Sequence, residues 1–178
     1  MKKILVVAIF TMLATFNLYA DSNFNSDTWK IEPTIGPTID LHNWGGSQFS
    51  IDTKVGKGEN WSGLLGLNFG GANAAQVKFG LVYDYPFYLT FSKENDFAIG
   101  PTADAGIKFG AGGALGASVD FINIGFGLRT AYKIYDNFGV VANLIHFTTS
   151  FVEWTHASGL NSNFAMAYDM RVGVYYLF

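Results

Sequence analysis

Histidine, hydroxyl and carboxylate side chains are concentrated between residues 146 and 158 of the sequence. The set consists of His146, Thr148, Ser150, Glu153, His156 and Ser158. A histidine that activates a hydroxyl nucleophile, itself oriented by a carboxylate, is the arrangement that proteins use for acyl transfer and hydrolysis. The stretch therefore raises the hypothesis of a hydrolase whose candidate catalytic residues are His146, Ser150, His156 and Ser158.

Other kinds of site have little support in the sequence. There is no cysteine, which excludes disulfides, thiol nucleophiles and thiolate metal sites. The three histidines are too scattered for a metal site, and the acidic residues near turns lack the spacing of a calcium loop. Phosphate-loop and dinucleotide fingerprints are absent. We therefore expect neither a metal nor a cofactor.

The first 20 residues have the layout of a secretory signal peptide. Lys2 and Lys3 precede an apolar run from Ile4 to Leu13, and Ala20 ends a plausible cleavage site. The apolar run is well short of the roughly 20 residues needed to cross a bilayer as a helix. We expect residues 1–20 to be removed after export, which leaves residues 21–178 as a single domain.

The composition beyond the signal is hydrophobic without offering a spanning helix. The chain is 49% hydrophobic and 17% aromatic but only 14% charged, with 17 Phe, nine Tyr, four Trp and 21 Gly. These counts suit a transmembrane β-barrel, where lipid-facing aromatic residues alternate with small inward ones. Without Lys2 and Lys3, nine basic residues (11 less two) oppose 14 acidic ones, a net charge of about −5. That balance argues against binding of nucleic acid.

Alternation of apolar and polar residues predicts the strands. From Phe164 to Phe178 every even position is apolar or aromatic, whereas Asp169 and Arg171 lie on the opposite face. Similar patterns predict eight strands, at about 29–41, 49–55, 61–69, 77–91, 97–109, 122–134, 138–150 and 163–178. Short turns between them predict an all-β fold, a closed eight-stranded antiparallel up-and-down transmembrane β-barrel. Pro33 and Pro37 must then occupy weakly paired positions or bulges.

The inward positions carry acidic and basic residues in similar numbers. Because an isolated buried ion is unfavourable, we expect these side chains to form an ion-pair network that plugs the lumen. An ion path lined by the same residues, as in a porin-like channel for small solutes, is the alternative. The predicted network comprises Lys30, Glu32, Asp40, Asp52, Lys54, Lys78, Asp84, Asp104, Lys108, Arg129, Lys133, Asp169 and Arg171.

The last eight residues, Arg171-Val-Gly-Val-Tyr-Tyr-Leu-Phe178, resemble the C-terminal β-signal of Gram-negative outer-membrane proteins. Arg171, Gly173, Tyr176 and Phe178 match its marked positions. Together with the signal peptide and the eight strands, they resemble small barrels of the outer-membrane protein A, X and neisserial surface protein A type. The resemblance implies insertion by the barrel-assembly machinery, periplasmic termini, and contact with outer-membrane lipid and lipopolysaccharide. We expect a monomer with a structural or envelope-associated role.

The histidine and hydroxyl set is similar in outline to the outer-membrane lipid A deacylases, barrels in which a His and a Ser two apart lie near the outer leaflet. His156-Ala157-Ser158 has this spacing but falls in a predicted loop. His146 has the better strand position, although Thr148 stands where the serine would be. We therefore expect polar loop residues rather than a catalytic site here. A soluble lipocalin-like barrel, with its apolar face inward, is the alternative outside the membrane.

Overall fold

The computed structural model describes residues 27–41, 46–58, 60–71, 73–89, 97–112, 116–156, 158–161 and 164–178. The predicted signal peptide lies outside these ranges. Within them no helix has the length and apolar character needed to cross a membrane. The strands are β1 (Trp29–Asp40), β2 (Ser47–Lys57), β3 (Trp61–Gly70), β4 (Ala75–Asp84), β5 (Phe87–Leu89), β6 (Phe97–Ala111), β7 (Ser118–Tyr135), β8 (Phe138–Ser150), β9 (Glu153–Thr155), β10 (Gly159–Asn161) and β11 (Ala165–Leu177).

Eight long strands form a closed antiparallel ring in the order β1-β2-β3-β4-β6-β7-β8-β11, and β11 returns to β1. The backbone N–H of Trp29 donates to the carbonyl of Phe178 at 2.9 Å, and that of Phe178 donates to Trp29 at 3.0 Å. These residues mark what we call the terminal end. The last residues of β1, β3, β6 and β8 lie at the opposite end, which we call the distal end. The eight-stranded closed barrel predicted from the sequence is confirmed.

The distribution of polarity is inverted relative to a water-soluble protein. On β1 the side chain of Glu32 is 0% exposed, whereas that of Ile35 is 48% exposed. The same alternation continues around the ring, with aromatic and branched apolar residues outside and charged, amide and hydroxyl residues inside. A lipocalin-like barrel would have its apolar face inward. The burial pattern therefore contradicts that alternative.

Both prolines of β1 lie where its ladder to β11 is interrupted. The pairs with β2 run continuously from Trp29 to Ile39, but the pairs with β11 omit Pro33 and Pro37. Alternate residues of a strand direct their backbone N–H groups to the same neighbour. Trp29 directs its N–H to β11, so positions 33 and 37 would do the same, but proline has no N–H to donate. The weak pairing expected for these prolines is confirmed.

Two bulges explain the irregular alternation of β7 and β8. Leu144 is an extra residue in the pairing of β8 with both neighbours, so that it and Ile145 both point outward. Positions 139, 141 and 143 therefore face inward before the bulge, and 146, 148 and 150 after it. The pair Phe121 and Ile122 has the same effect in β7.

Two predicted boundaries require correction. The fourth strand, expected to continue to Phe91, breaks at Tyr85 and Pro86, because Pro86 has no N–H for the ladder; residues 90–96 lie outside the described ranges. The connection from Phe151 to Ser162 contains a hairpin. Its strand β9 pairs with β10 and with the first three residues of β7, which extends the wall of the barrel at the distal end.

Candidate functional site

Five charged side chains form a layer near the terminal end, which we call the terminal cluster. Lys30 and Glu32 come from β1, Lys54 from β2, Asp84 from the end of β4 and Arg129 from β7. Arg129 donates to Glu32 through Nη2 at 2.6 Å and through Nε at 3.3 Å. The geometry thus brings together five residues that the sequence predicted to meet.

Every ion in the terminal cluster has several partners of opposite charge. Lys54 Nζ lies 3.4 Å from Glu32 and 3.3 Å from Asp84, and Lys30 Nζ lies 3.8 Å and 3.7 Å from the same carboxylates. Fork-shaped contacts between an arginine and a carboxylate are among the stronger hydrogen bonds in proteins. Removing one partner of such a group leaves an uncompensated buried charge. The terminal cluster is therefore a structural feature of the lumen.

A second group, the central cluster, is built around His146 on β8. The ring atom Nε2 lies 2.9 Å from Asp104 Oδ2 of β6, and Nδ1 lies 3.4 Å from Asp169 Oδ2 of β11. Lys78 of β4 also donates to Asp104. The sequence placed His146 with the outer-loop residues, and this was wrong. The bulge at Leu144 reverses the facing of the strand and turns the imidazole into the lumen.

Arg171 connects the central cluster to β1 and β2. Its Nε donates to Asp52 Oδ2 at 2.9 Å, and its Nη2 lies 3.3 Å from Asp169 Oδ1. Its Nη1 donates to the carbonyl of Pro37 at 2.9 Å. Arg171 thus supplies hydrogen bonds at the place where Pro37 interrupts the ladder between β1 and β11.

Three residues of the predicted network lie outside both clusters. Lys133 is a correction, because its ammonium group pairs with the exposed Asp136 at 3.2 Å in the turn between β7 and β8. Asp40 is half-buried at the distal end of β1. Lys108 of β6 lines the space around the central cluster and also a larger space nearer the distal end.

The free space inside the barrel is unevenly distributed. Around the central cluster it amounts to about 40 Å³, little more than one water molecule occupies. Near the distal end there is a partly open cavity of about 410 Å³, which we call the distal cavity. Its lining includes Asp40, Asn73, Lys108, Asp120, Ser150 and Glu153.

The candidate catalytic residues do not form one site. Both ring nitrogens of His146 face carboxylates, which leaves neither to activate a hydroxyl. The Ser150 hydroxyl donates to Asp120 Oδ2 at 3.1 Å, and the Ser158 hydroxyl shares a 2.6 Å hydrogen bond with Thr155. His156 is exposed in the turn between β9 and β10. The hydrolase hypothesis thus finds no catalytic arrangement in these contacts.

Several residues of the distal cavity were missed from the sequence. Asp120 precedes the predicted start of its strand, and the bulge at Phe121 and Ile122 turns it inward. The adjacent apolar pair in the sequence was the signal that could have found Asp120. Asn73 was assigned only to a turn. Among the described residues, no group of three or more His, Asp or Glu side chains could hold a metal ion.

Exposed aromatic side chains surround the terminal end. The rings of Trp61 and Tyr83 lie 4.9 Å apart, and those of Tyr176 and Phe178 lie 6.3 Å apart. Tyr176 and Phe178 of the predicted assembly signal point outward, whereas Arg171 points inward. Gly173 lies against Thr34 of β1. The four signal residues therefore occupy both faces of β11.

Comparison with known proteins gives similarity of fold only. No protein-family model matches the sequence, and no curated protein sequence gives a significant match. Among solved structures, a major outer membrane protein from Thermus thermophilus is 14% identical, with a TM-score of 0.45, over 86% of this chain and 100% of its own. Neisserial surface protein A is 10% identical, with a TM-score of 0.45, over 88% and 100%. A de novo designed transmembrane β-barrel is 10% identical, with a TM-score of 0.44, over 86% and 98%.

Proposed function

We propose that this chain is an integral outer-membrane β-barrel of a Gram-negative bacterium with a structural role in the envelope. The observation that carries the proposal is the inverted burial pattern around a closed ring, apolar outside and charged inside. A closed ring satisfies its backbone groups internally, as a lipid environment requires. Strands of at least ten residues also reach across a bilayer at a tilt of about 45°.

Membrane fractionation and gel migration test the location. We expect the mature chain in the outer-membrane fraction, migrating differently before and after boiling because the unboiled barrel stays folded in detergent. Recovery of the folded chain from the soluble periplasmic fraction would overturn the membrane assignment.

The lumen is closed in this proposal by the terminal and central clusters. Their support is the dense pairing of charges across the ring and the small space of about 40 Å³ between the walls. Purified protein in planar bilayers should show no stable single-channel steps. Removing the Glu32 and Arg129 side chains together, as Ala variants, should introduce conductance, whereas Lys133→Ala on the same strand as Arg129 should not.

Two results would count against the closed lumen. Stable and reproducible conductance steps from the unmodified protein would favour a narrow channel for small solutes. A Glu32→Ala, Arg129→Ala double variant as silent as the parent would show that the terminal cluster is not the barrier.

Assembly of the barrel would depend on the C-terminal residues as a signal to the barrel-assembly machinery. Phe178 is 65% exposed, which leaves its ring accessible for recognition. We expect Phe178→Ala to reduce the folded protein in the outer membrane while refolding into detergent stays normal. Phe164→Ala, an exposed phenylalanine that directly precedes β11, is the matched control. Equal yields of all three proteins in cells would contradict the signal.

The exterior of the barrel would contact outer-membrane lipid and lipopolysaccharide directly. Each of the eight long strands is paired on both sides, so the ring offers no free edge to another copy of the chain. We therefore expect a monomer, to be checked by light scattering of the detergent-solubilised protein. A stable dimer would show that part of the apolar exterior serves as a protein interface.

A further inference from the structure

The distal cavity carries an excess of negative charge. Among the described residues, three carboxylates, those of Asp40, Asp120 and Glu153, line it together with one ammonium group, that of Lys108, which gives these residues a net charge of −2 (three acids less one base). Its volume of about 410 Å³ lies within the range of small-molecule sites and far exceeds a single ion. Phe164 and Met166 add an apolar section to the wall.

Two of these carboxylates are neighbours without a cation between them. Asp120 of β7 and Glu153 of β9 are directly opposite in the ladder, which places their Cβ atoms about 5 Å apart. Among the described residues, neither has a cationic nitrogen within the 4.0 Å of an ion pair. Burial raises the pKa of Glu153, and the charge of Asp120 raises it further.

Asn73 independently adds an acceptor to the same cavity. Its side chain is 2% exposed, and its Oδ1 atom has no hydrogen-bond donor among the described residues. The amide lies over Gly110, where an added Cβ would come within 2.8 Å of Asn73 Cγ. Gly110 is two residues from Lys108, the ladder partner of Asp120. A buried carbonyl oxygen without a donor is unfavourable and calls for a partner that carries N–H or O–H groups.

We propose that the distal cavity binds a small organic cation with a primary ammonium group, held by Asp120 and Glu153. Lys108 attracts Asp120 but is not within ion-pair distance of either carboxylate, and the ammonium group of the ligand balances the remaining negative charge. A further donor on the ligand reaches Asn73 Oδ1. The hydrocarbon part of the ligand packs against Phe164 and Met166. A metal ion fits less well, because the described residues offer no group of three acidic or histidine ligands.

Binding at this site goes beyond the proposed envelope role and does not depend on a closed lumen. The distal cavity is separated from the terminal cluster by the narrow space around His146. Binding measured in detergent micelles therefore reports on the cavity alone, whether or not the barrel conducts in a bilayer.

Calorimetry with three probes of one carbon chain length tests the proposal. Butane-1,4-diamine, butane-1,4-diol and butanedioate are titrated into the folded mature chain, and then into Glu153→Gln and Asp120→Asn. We expect the diamine to bind at least about tenfold more tightly than the other two, the ratio that corresponds to 1.4 kcal/mol. Each variant should weaken diamine binding by about tenfold, whereas Asp136→Asn, an exposed acid at the terminal end, should leave it unchanged. Heat-modifiable migration of each variant confirms that it is folded.

Four outcomes would overturn the proposal. The diol could bind as tightly as the diamine, or the diamine could fail to bind at millimolar concentration. Folded Glu153→Gln and Asp120→Asn could bind the diamine like the parent protein. Finally, Mg²⁺ could displace the diamine and show the same dependence on the two variants, which would identify a metal site instead.

Discussion

The two ends of the barrel interior use carboxylates in opposite ways. In the terminal cluster, Glu32 is 0% exposed and lies within 4.0 Å of Lys30, Lys54 and Arg129. In the distal cavity, Asp120 and Glu153 face each other, and no cationic nitrogen among the described residues is as close. One carboxylate is held by three cations, whereas the other two repel each other.

Depth in the proposed membrane explains the difference. Where the lumen is filled and water is excluded, an unpaired ion is strongly unfavourable, so every charge there has a partner. The distal cavity holds more space, because glycine and alanine at 46, 71, 165 and 167 take part in its lining. Carboxylates beside that space can be hydrated, and they can also bind a ligand. Carboxylates with a cation within ion-pair distance thus indicate a structural role. Asp120 and Glu153, which have none among the described residues, indicate a binding site.

The strongest test of this contrast is Glu32→Gln, which removes one charge and leaves Asp84 as the remaining carboxylate of the terminal cluster beside its three cations. We expect the free energy of unfolding to fall by about 3–5 kcal/mol, as for other buried ion pairs that lose one partner. Urea unfolding in lipid vesicles, followed by tryptophan fluorescence, measures the change, with Asp136→Asn as the exposed control. A loss below about 1 kcal/mol would mean that the terminal cluster does not stabilise the barrel.

A smaller loss is expected for His146→Leu in the central cluster. Asp104 would keep its contact with Lys78, and Asp169 would keep Arg171, so no carboxylate would lose its last cation. We expect the free energy of unfolding to fall by about 1–3 kcal/mol, the cost of unpaired buried polar groups. His156→Leu in the exposed turn is the matched control. Equal effects of the two variants would contradict the interior position of His146.

Much of the fold could be predicted because the exterior of the barrel is apolar and its lumen polar, so that alternate residues follow opposite preferences. The terminal cluster followed directly, since Glu32, Lys54 and Asp84 each obey the regular alternation of their strands. Regular alternation carries a side chain to a known face without any knowledge of its neighbours.

The central cluster and the distal cavity were harder to predict because bulges reverse the alternation. One extra residue, Leu144, decides that His146 faces inward, and the pair at Phe121 and Ile122 does the same for Asp120. A bulge depends on pairing with both neighbouring strands, which a single sequence does not reveal. The hairpin that carries Glu153 was also missed. Its strand β9 is only three residues long, which is too short to show an alternating pattern in the sequence.

At the distal end, Glu153→Gln should have almost no effect on stability, in contrast to the same change at Glu32. The substitution removes a charge that is repelled by Asp120 rather than one held by cations. We expect the free energy of unfolding to change by less than about 0.5 kcal/mol, with a slight gain. The urea unfolding assay used for Glu32→Gln gives the direct comparison. A loss as large as that of Glu32→Gln would show that Glu153 has a structural partner and would remove the distinction between the two ends.

The smallest expected effect is a pH dependence confined to the distal cavity. Burial and the charge of Asp120 raise the pKa of Glu153 above its ordinary value of 4.5, so in the window above 4.5 the folded chain binds a proton that the unfolded chain has released. Stability at this group is therefore present at low pH and falls as pH rises through the raised pKa. Asp120 of β7, Lys108 of β6 and Asp40 of β1 are the other charged residues that line the same space. Glu153→Gln should gain stability relative to the parent as pH rises through this window, and diamine affinity of the parent should rise over the same window. A stability difference between the two proteins that does not vary with pH would show that Asp120 and burial do not destabilise the charged form of Glu153.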